Sequence, residues 1–294
     1  MAVLAVATFA VAAGLALRLT AYQIPVVCFG PNAPETCVPF QPDVTRYFET
    51  AGTWGVVALG LIAVLPAIGG LILGIAMVGK ELDQGTATFA WSISPSRRRW
   101  LLQRVVPIAI ALVVASLVAG AFADVLQGLR DPGTDPNRSF GHMGLRGPVV
   151  GAAALAFFGL ALLVGSVLGR ILPALLLAGL LVIASFVGVS VLSETFLRGE
   201  TVLVYGVDGG VPGRSVEYLV QVPGGEIMTW EAAYARFGNE LDDPNGMPLE
   251  FRTVLRVNPP ELYPPAVARL ALLYSTVGLA SIVLAFAVVD RRRP

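Results

Sequence analysis

The side chains that could carry out catalysis are few in this chain. His142 is the only histidine, so no histidine-based triad can activate a nucleophile. The two cysteines cannot complete a four-ligand zinc site with one histidine. The motifs GxxxxGK(S/T), GxSxG and HExxH do not occur either, which excludes a nucleotide phosphate loop and two common hydrolase sites. The sequence therefore predicts no catalytic residue, no metal site and no cofactor bound by this chain.

Three charged residues lie at the borders of long apolar stretches, where they could contact a substrate that crosses a membrane. These residues are Arg18, Asp124 and Arg269. Ionisable groups beside membrane helices can mark a transport pathway. Side chains at a helix end can also extend along the helix to reach water. The sequence leaves both interpretations open: a candidate substrate vestibule, or charges that only reach the water.

Composition places the chain in a membrane. It has 294 residues, of which 55% are apolar and 14% charged, and its mean hydropathy is +0.74. Soluble domains carry about 25% charged residues, and a soluble fold of this composition would have to expose large apolar patches. A soluble enzyme and a disordered chain are therefore excluded. The zero net charge argues against a nucleic-acid-binding protein.

Six long stretches with almost no charged residues predict six transmembrane helices, because about 20 apolar residues cross the hydrocarbon core. The predicted fold class is thus an all-α polytopic membrane protein. The predicted spans are TM1 at 1–20, TM2 at 54–79, TM3 at 105–128, TM4 at 147–169, TM5 at 171–193 and TM6 at 269–289. No basic residue precedes TM1, so we expect an uncleaved helix whose native start could lie upstream of Met1.

The distribution of arginine and lysine predicts which side each loop occupies. An even number of spans puts both termini on one side, and basic residues concentrate in cytoplasmic loops. With 80–104, Arg170 and the tail 290–294 in the cytoplasm, that side has 9 basic and 3 acidic residues, and the outside has 11 basic and 17 acidic. We therefore predict a multi-pass protein of the cell membrane with both termini cytoplasmic. The extracellular segments are then 21–53, 129–146 and 194–268.

The first extracellular segment contains both cysteines. Cys28 and Cys37 close a short loop, and thiols outside the cytoplasm are oxidised. We therefore predict a disulfide between them, with a redox switch as the alternative. Residues 42–50 are expected to form a short helix capped by Asp43, which leads into Trp54 at the membrane interface.

The segment 194–268 is predicted to form a small α+β extracellular domain between TM5 and TM6. Thr229 is a candidate N-cap for a helix that ends near Gly238. Alternating apolar residues and a Pro-Gly-Gly turn indicate a hairpin and a further strand. The expected strands are 201–207, 215–222, 226–230 and 252–257.

The predicted cytoplasmic loop 80–104 contains two helix-start signals. Thr86 can cap a short helix, ATFAWSIS, and Ser94 with Pro95 can begin a second helix that continues into TM3. Three consecutive arginines followed by Trp100 are typical of an anchor at the cytoplasmic membrane surface. An anchor does not explain the two successive caps, which favour a docking surface for a partner.

Small residues recur at helical spacing within the spans. Gly70 and Gly74 in TM2, and Gly165 and Gly169 in TM4, allow helices to approach closely. We interpret them as packing positions within the chain, with a dimer seam as the alternative.

Two stretches together resemble the membrane subunit of an ABC-2-type exporter. The first follows TM2 and the second enters and leaves TM4. In the first stretch the matching residues are Gly79, Glu81, Gly85, Thr86, Pro95, Ser96, Arg97, Trp100 and Arg104. In the second they are Arg146, Gly147, Gly159, Gly165, Arg170, Leu172, Pro173 and Ala174.

The resemblance implies a permease subunit that pairs with a second permease, as a homo- or heterodimer, and with two cytoplasmic ABC ATPase subunits. ATP and Mg²⁺ would bind to those ATPases, and the exported compound would be hydrophobic or amphipathic. The partner-binding residues would be Glu81, Gly85, Thr86, Pro95, Ser96, Arg97 and Trp100. A membrane sensor or assembly protein with a ligand-binding extracellular domain is the alternative, and an intramembrane enzyme is disfavoured by the missing catalytic groups.

Overall fold

The computed structural model describes residues 8–16, 24–29, 33–86, 89, 96–130, 140–205, 214–241 and 251–291. The chain forms two compact units. The first comprises Met1–Pro136, His142–Val191 and Val267–Pro294, and the second comprises Asn137–Gly141 and Leu192–Ala266.

Five helices among the described residues are long and apolar enough to cross a membrane. They are α1 (Gln41–Asp83), α2 (Arg97–Arg130), α3 (Gly147–Leu168), α4 (Ile171–Gly199) and α6 (Tyr263–Arg291). They contain the predicted spans TM2 to TM6. Of the predicted TM1, the structure describes only residues 8–16, which are helical.

Helix α1 has 43 residues and is much longer than the predicted span. The helix expected at 42–50 is its first part, and Asp43 does not cap it, because the N-cap position is Phe40 and makes no side-chain cap bond. No proline lies between Asp43 and Trp54, where the helix could have ended. The threonine hydroxyls donate instead to carbonyls four residues earlier, as Thr50 does to Arg46 at 2.9 Å. The helix therefore continues without a break from the predicted extracellular segment into TM2.

Helix α3 is the central element of the first unit. Within its most apolar stretch 83% of the residues are buried, against 33% or fewer in the other four helices. Glycines bring its neighbours close: a Cβ added to Gly74 of α1 would lie 2.6 Å from the carbonyl oxygen of Phe158. A Cβ on Gly159 would lie 2.5 Å from the carbonyl oxygen of Gly278 in α6. The interpretation of Gly70 and Gly74 as packing positions within the chain is thus confirmed.

Gly169 ends α3 in the left-handed region, with φ of 64°. Its N–H donates to the carbonyl of Gly165 at 3.0 Å, and α4 begins two residues later. A residue with a Cβ would be strained at this φ. The break between the fourth and fifth predicted spans is therefore a glycine-terminated helix followed at once by another.

The second unit contains a four-stranded antiparallel sheet in the order β1-β4-β2-β3. Its elements are β1 (Val202–Tyr205), β2 (Arg214–Gln221), β3 (Ile227–Thr229), α5 (Trp230–Leu241) and β4 (Arg252–Asn258). Gly224 and Gly225 form the hairpin turn with positive φ, and the Thr229 hydroxyl accepts the N–H of Ala232 at 3.3 Å. The predicted strands, hairpin and N-cap of this α+β unit are confirmed.

Asn258 joins the sheet to the end of α4 within the second unit. It lies at the end of β4 and is fully buried. Its side-chain amide donates to the carbonyls of Leu197 at 2.6 Å and Glu200 at 3.3 Å. The last carbonyls of a helix have no partner inside the helix. The Leu197 carbonyl also accepts the N–H of Glu200 at 3.2 Å, and Asn258 adds a second donor that ties the end of α4 to β4.

Candidate partner-binding site

The predicted partner-binding residues begin where α1 ends. Gly85 has φ of 71°, its N–H donates to Leu82 O at 3.3 Å, and the N–H of Thr86 donates to Glu81 O at 3.0 Å. This pair of bonds is a Schellman motif. The Thr86 hydroxyl also donates to Glu81 O, at 3.4 Å. Thr86 therefore closes α1, and the short helix predicted to follow it lies, apart from Phe89, outside the described residues.

Helix α2 begins at Arg97 and is capped by Ser96. The Ser96 hydroxyl accepts the N–H of Arg99 at 3.2 Å, which is the geometry of an N-cap at the third helical residue. The predicted cap, Ser94, and the predicted first residue, Pro95, lie outside the described residues. The start of α2 predicted at Pro95 is therefore corrected to Arg97, because Ser96 already supplies the oxygen that the first turn needs.

An ion pair joins the end of α1 to the first turns of α2. Arg104 donates to the carboxylate of Glu81, and its guanidinium lies 4.6 Å from the centroid of the Trp100 ring. Trp100 is only 6% exposed and packs in an apolar cluster with Val78 and Val289. Arg104 covers the Trp100 ring, and the indole belongs to the interior of the first unit. Its predicted position at the headgroup level of the membrane stays a prediction.

A second ion pair joins α2 to the last turn of α6. The Nη2 and Nε atoms of Arg98 lie 2.7 Å and 3.2 Å from the Asp290 carboxylate. The two side chains are 69% and 40% exposed, so water screens the pair and its contribution to stability is small. The pair serves to hold helices in position. Together with the Glu81–Arg104 pair it joins the end of α1, the start of α2 and the end of α6. We call this region the Glu81 end.

The remaining oxygen of Glu81 is unusual. Glu81 Oε2 is buried and has no hydrogen-bond partner among the described residues. A buried carboxylate oxygen without a donor is costly. Glu81 is thus half satisfied by Arg104 and able to accept one further hydrogen bond.

The three residues predicted to form a substrate vestibule are placed differently. Asp124 in α2 pairs with Arg146, the residue before α3, at 3.3 Å. Arg269 is partly buried in α6, and Arg18 lies outside the described residues. The Asp124–Arg146 pair was not predicted from the sequence, and it joins two consecutive helices.

The cysteine-containing segment packs on the end of α1 opposite to Glu81. Cys28 and Cys37 are joined by a disulfide, with Cα atoms 5.4 Å apart. The ring of Phe29 lies 5.2 Å from that of Tyr47, measured between centroids. Tyr47 is buried, and its hydroxyl donates to the carbonyl of Leu129 near the end of α2. Sequence analysis missed Tyr47, since nothing in a predicted loop distinguishes it from other tyrosines. We call this region the disulfide end.

None of the described residues form a group of three or more His, Cys, Asp or Glu side chains that could hold a metal ion. The Glu81 end contains arginines, a carboxylate oxygen without a hydrogen-bond partner among the described residues, and two capped helix ends. These groups can recognise a partner through charge and hydrogen bonds.

The five long apolar helices define a multi-pass membrane protein. The family described as ABC-2 membrane transporter related matches residues 1–198, about two-thirds of the chain. The chain belongs to this family, whose members are membrane subunits, and its role is of the permease type. The matched residues end just before the sheet. A search of curated proteins and a search of solved structures found no match.

Proposed function

We propose that this chain is the permease subunit of an ABC exporter. A separate cytoplasmic ATPase, present in two copies and binding ATP with Mg²⁺, would supply the energy, and a second permease subunit would complete the pathway. The exported compound would be hydrophobic or amphipathic. Family membership and the missing phosphate loop support a role that depends on a partner for ATP hydrolysis.

The observation that carries the proposal is the construction of the Glu81 end. A Schellman motif and an N-cap fix the two ends of the segment 84–96 on α1 and α2. The Glu81–Arg104 pair holds those helices to each other beside it. A force applied to this segment would therefore reach two membrane helices directly, as a coupling element requires.

In this proposal the Glu81 end faces the cytoplasm and both termini lie on the same side. The concentration of basic residues in its loops supports that orientation. The second unit and the disulfide end would then be extracellular. Arg97, at the first position of α2, would present its guanidinium to acidic groups of the ATPase, a geometry that suits arginine.

The vestibule residues stay part of the proposal in modified form. Arg18, Asp124 and Arg269 would lie near the extracellular ends of their spans. The carboxylate of Asp124 would contact substrate while it also stays paired with Arg146.

The test changes Gly85 to valine in the chain co-expressed with its ATPase. Valine at a φ of 71° forces the loop to leave α1 differently. We expect the permease to be inserted and to retain its melting temperature within a few degrees, while transport and coupled ATP hydrolysis fall severalfold. Glu81→Ala, which unpairs Arg104, should act in the same direction.

Gly52→Val is the matched control, because Gly52 lies in α1 with open space around it. It should leave hydrolysis unchanged. If Gly85→Val and Glu81→Ala both express normally and support full transport, the Glu81 end is not the coupling element. If they lose activity only in proportion to lost stability, their role is to hold the helix ends.

One observation favours a second candidate function. The four-stranded sheet of the second unit, which we call the sheet unit, lies beyond the residues matched by the family. A membrane sensor or assembly protein would use such a unit to bind a ligand. Co-purification separates the two candidates: a transporter permease should retain a stoichiometric ATPase after purification, and a sensor should not.

A further inference from the structure

An excess of positive charge surrounds the Arg98–Asp290 ion pair. The first turn of α2 contributes Arg97, Arg98 and Arg99, and the last turn of α6 contributes Asp290 and Arg291. Arg97 is left to the ATPase contact proposed above, so the three exposed arginines and Asp290 carry a net charge of +2 where the two helix ends meet. The side chains of Arg98, Arg99 and Arg291 are exposed, so a single carboxylate does not neutralise the cluster.

Exposed apolar stripes lead away from this cluster on both helices. In an α-helix, residues seven and eleven positions apart lie on nearly the same face. Counting forward from Arg99, those positions are the exposed Val106 and Ile110. Counting back from Asp290, they are the exposed Val283 and Leu279.

We infer that the arginine cluster binds the headgroup of an anionic phospholipid, with the acyl chains against these two stripes. A net positive charge at the end of membrane helices attracts anionic headgroups. A free phosphate would use only the arginines, whereas a lipid also covers the apolar side chains below them. Zwitterionic lipid carries no net charge for the cluster to attract. The inference does not depend on the exporter function.

Asp290 and the arginines should affect lipid binding in opposite directions. Its carboxylate repels an anionic headgroup and occupies Arg98. Removing that charge should strengthen lipid binding, whereas removing an arginine should weaken it. A residue that only supports the fold would not produce an increase when it is changed.

The experiment is native mass spectrometry of the full chain released from micelles that contain phosphatidylglycerol and phosphatidylcholine. We expect selective retention of phosphatidylglycerol. Each arginine lost in Arg99→Gln and Arg291→Gln should reduce that selectivity about fivefold, and Asp290→Asn should raise it by a similar factor. Arg170→Gln is the control, because Arg170 is an exposed arginine at a different helix junction.

Equal retention of the two lipids would overturn the inference, as would an equal loss in Arg170→Gln. Displacement of phosphatidylglycerol by inorganic phosphate at the same concentration would assign a plain anion site instead. If the lipid is lost when the ATPase is bound, the arginines bind the ATPase instead of a lipid, and the inference is wrong. If Arg99→Gln/Arg291→Gln does not fold, Asp290→Asn is the remaining test. A variant that does not raise the selectivity for phosphatidylglycerol then refutes the lipid site.

Discussion

Arg104 makes two contacts that depend on each other. It donates to Glu81 of α1 and covers the ring of Trp100 one turn earlier in α2. The carboxylate holds the guanidinium in place, and the guanidinium shields the indole from solvent. A lysine would keep the charge but not the flat stacking surface. At the scale of single residues, this end of the molecule is therefore held by a geometry that only arginine provides.

The disulfide is the covalent link at the opposite end. Removing it in Cys28→Ser/Cys37→Ser should destabilise the protein by about 2–3 kcal/mol, because the bridge restricts a short loop of the unfolded chain. A lower midpoint of thermal unfolding measures the loss. Wild-type protein treated with reductant should melt like the variant. Intact mass measurement of the native protein should find the chain lighter by two hydrogen atoms, and two alkylatable thiols would contradict the bond.

Asn258 offers a test of a buried polar contact in the sheet unit. Asn258→Ala removes the two hydrogen bonds that its amide donates to the carbonyls of Leu197 and Glu200, although the Leu197 carbonyl still accepts the N–H of Glu200. We expect a loss of about 1–3 kcal/mol, detected as a lower melting temperature. Gln221→Ala is the comparison, since its amide also donates to a carbonyl but is exposed. Equal effects of the two variants would show that Asn258 does not hold the end of α4.

At the scale of elements, the bundle is organised by glycines that face α3. Gly74 meets the backbone of α3, which cannot move aside as a side chain can. Gly120 of α2 lies against Gly147 in the same manner, since a Cβ there would be 2.5 Å from the Gly147 Cα. Three neighbours therefore approach α3 at backbone distance, which explains why it is the most buried helix.

Two glycines of α1 should respond to alanine with opposite signs. Gly74→Ala places a methyl group 2.6 Å from Phe158 O and should destabilise the protein by about 1–3 kcal/mol. Gly60→Ala adds a methyl group in open space and should stabilise α1 by up to about 1 kcal/mol. Thermal unfolding of both variants in the same detergent is the measurement. A stabilising Gly74→Ala would show that α1 and α3 are not in backbone contact.

The elements that sequence analysis predicted correctly are those whose ends are marked by individual residues nearby in the sequence. Arg170 separates two apolar stretches, Pro-Gly-Gly makes the hairpin, and Thr229 caps α5. Gly169, which was interpreted as a packing position, instead ends α3 in the left-handed region. The length of α1 was not predictable, because no residue near 50–54 marks whether a helix continues through a polar stretch. The burial of Trp100 depends on Val78 and Val289, which are distant in sequence and belong to other helices.

The candidate site was predicted only in part, because some of its contacts are local and others join residues distant in sequence. Glu81, Gly85 and Ser96 were identified from a family pattern, and their roles at helix ends follow from local bonds. The Arg98–Asp290 pair was missed, although the charge distribution had placed both residues on one side of the membrane. Opposite charges at neighbouring helix ends would have been the signal for it.

At the scale of the whole molecule, the proposed topology assigns the Glu81 end to the cytoplasm. Single cysteines in a Cys28→Ser/Cys37→Ser background test it with a membrane-impermeant maleimide on intact cells. Ala90→Cys should be labelled only after the cells are opened. Glu231→Cys, at an exposed position of the sheet unit, should be labelled from outside. Labelling of Ala90→Cys in intact cells would reverse the orientation and remove the proposed ATPase contact.

Helix α1 is fixed to α2 at two distant points, through Tyr47 with Leu129 and through Glu81 with Arg104. Each residue of a helix turns the chain by about 100° and advances it by about 1.5 Å. Losing a single residue between Tyr47 and Glu81 would therefore turn one contact away from α2 while the other is kept. Evolution can change the side chains of this stretch but not its length, so related chains that keep both contacts should align here without gaps.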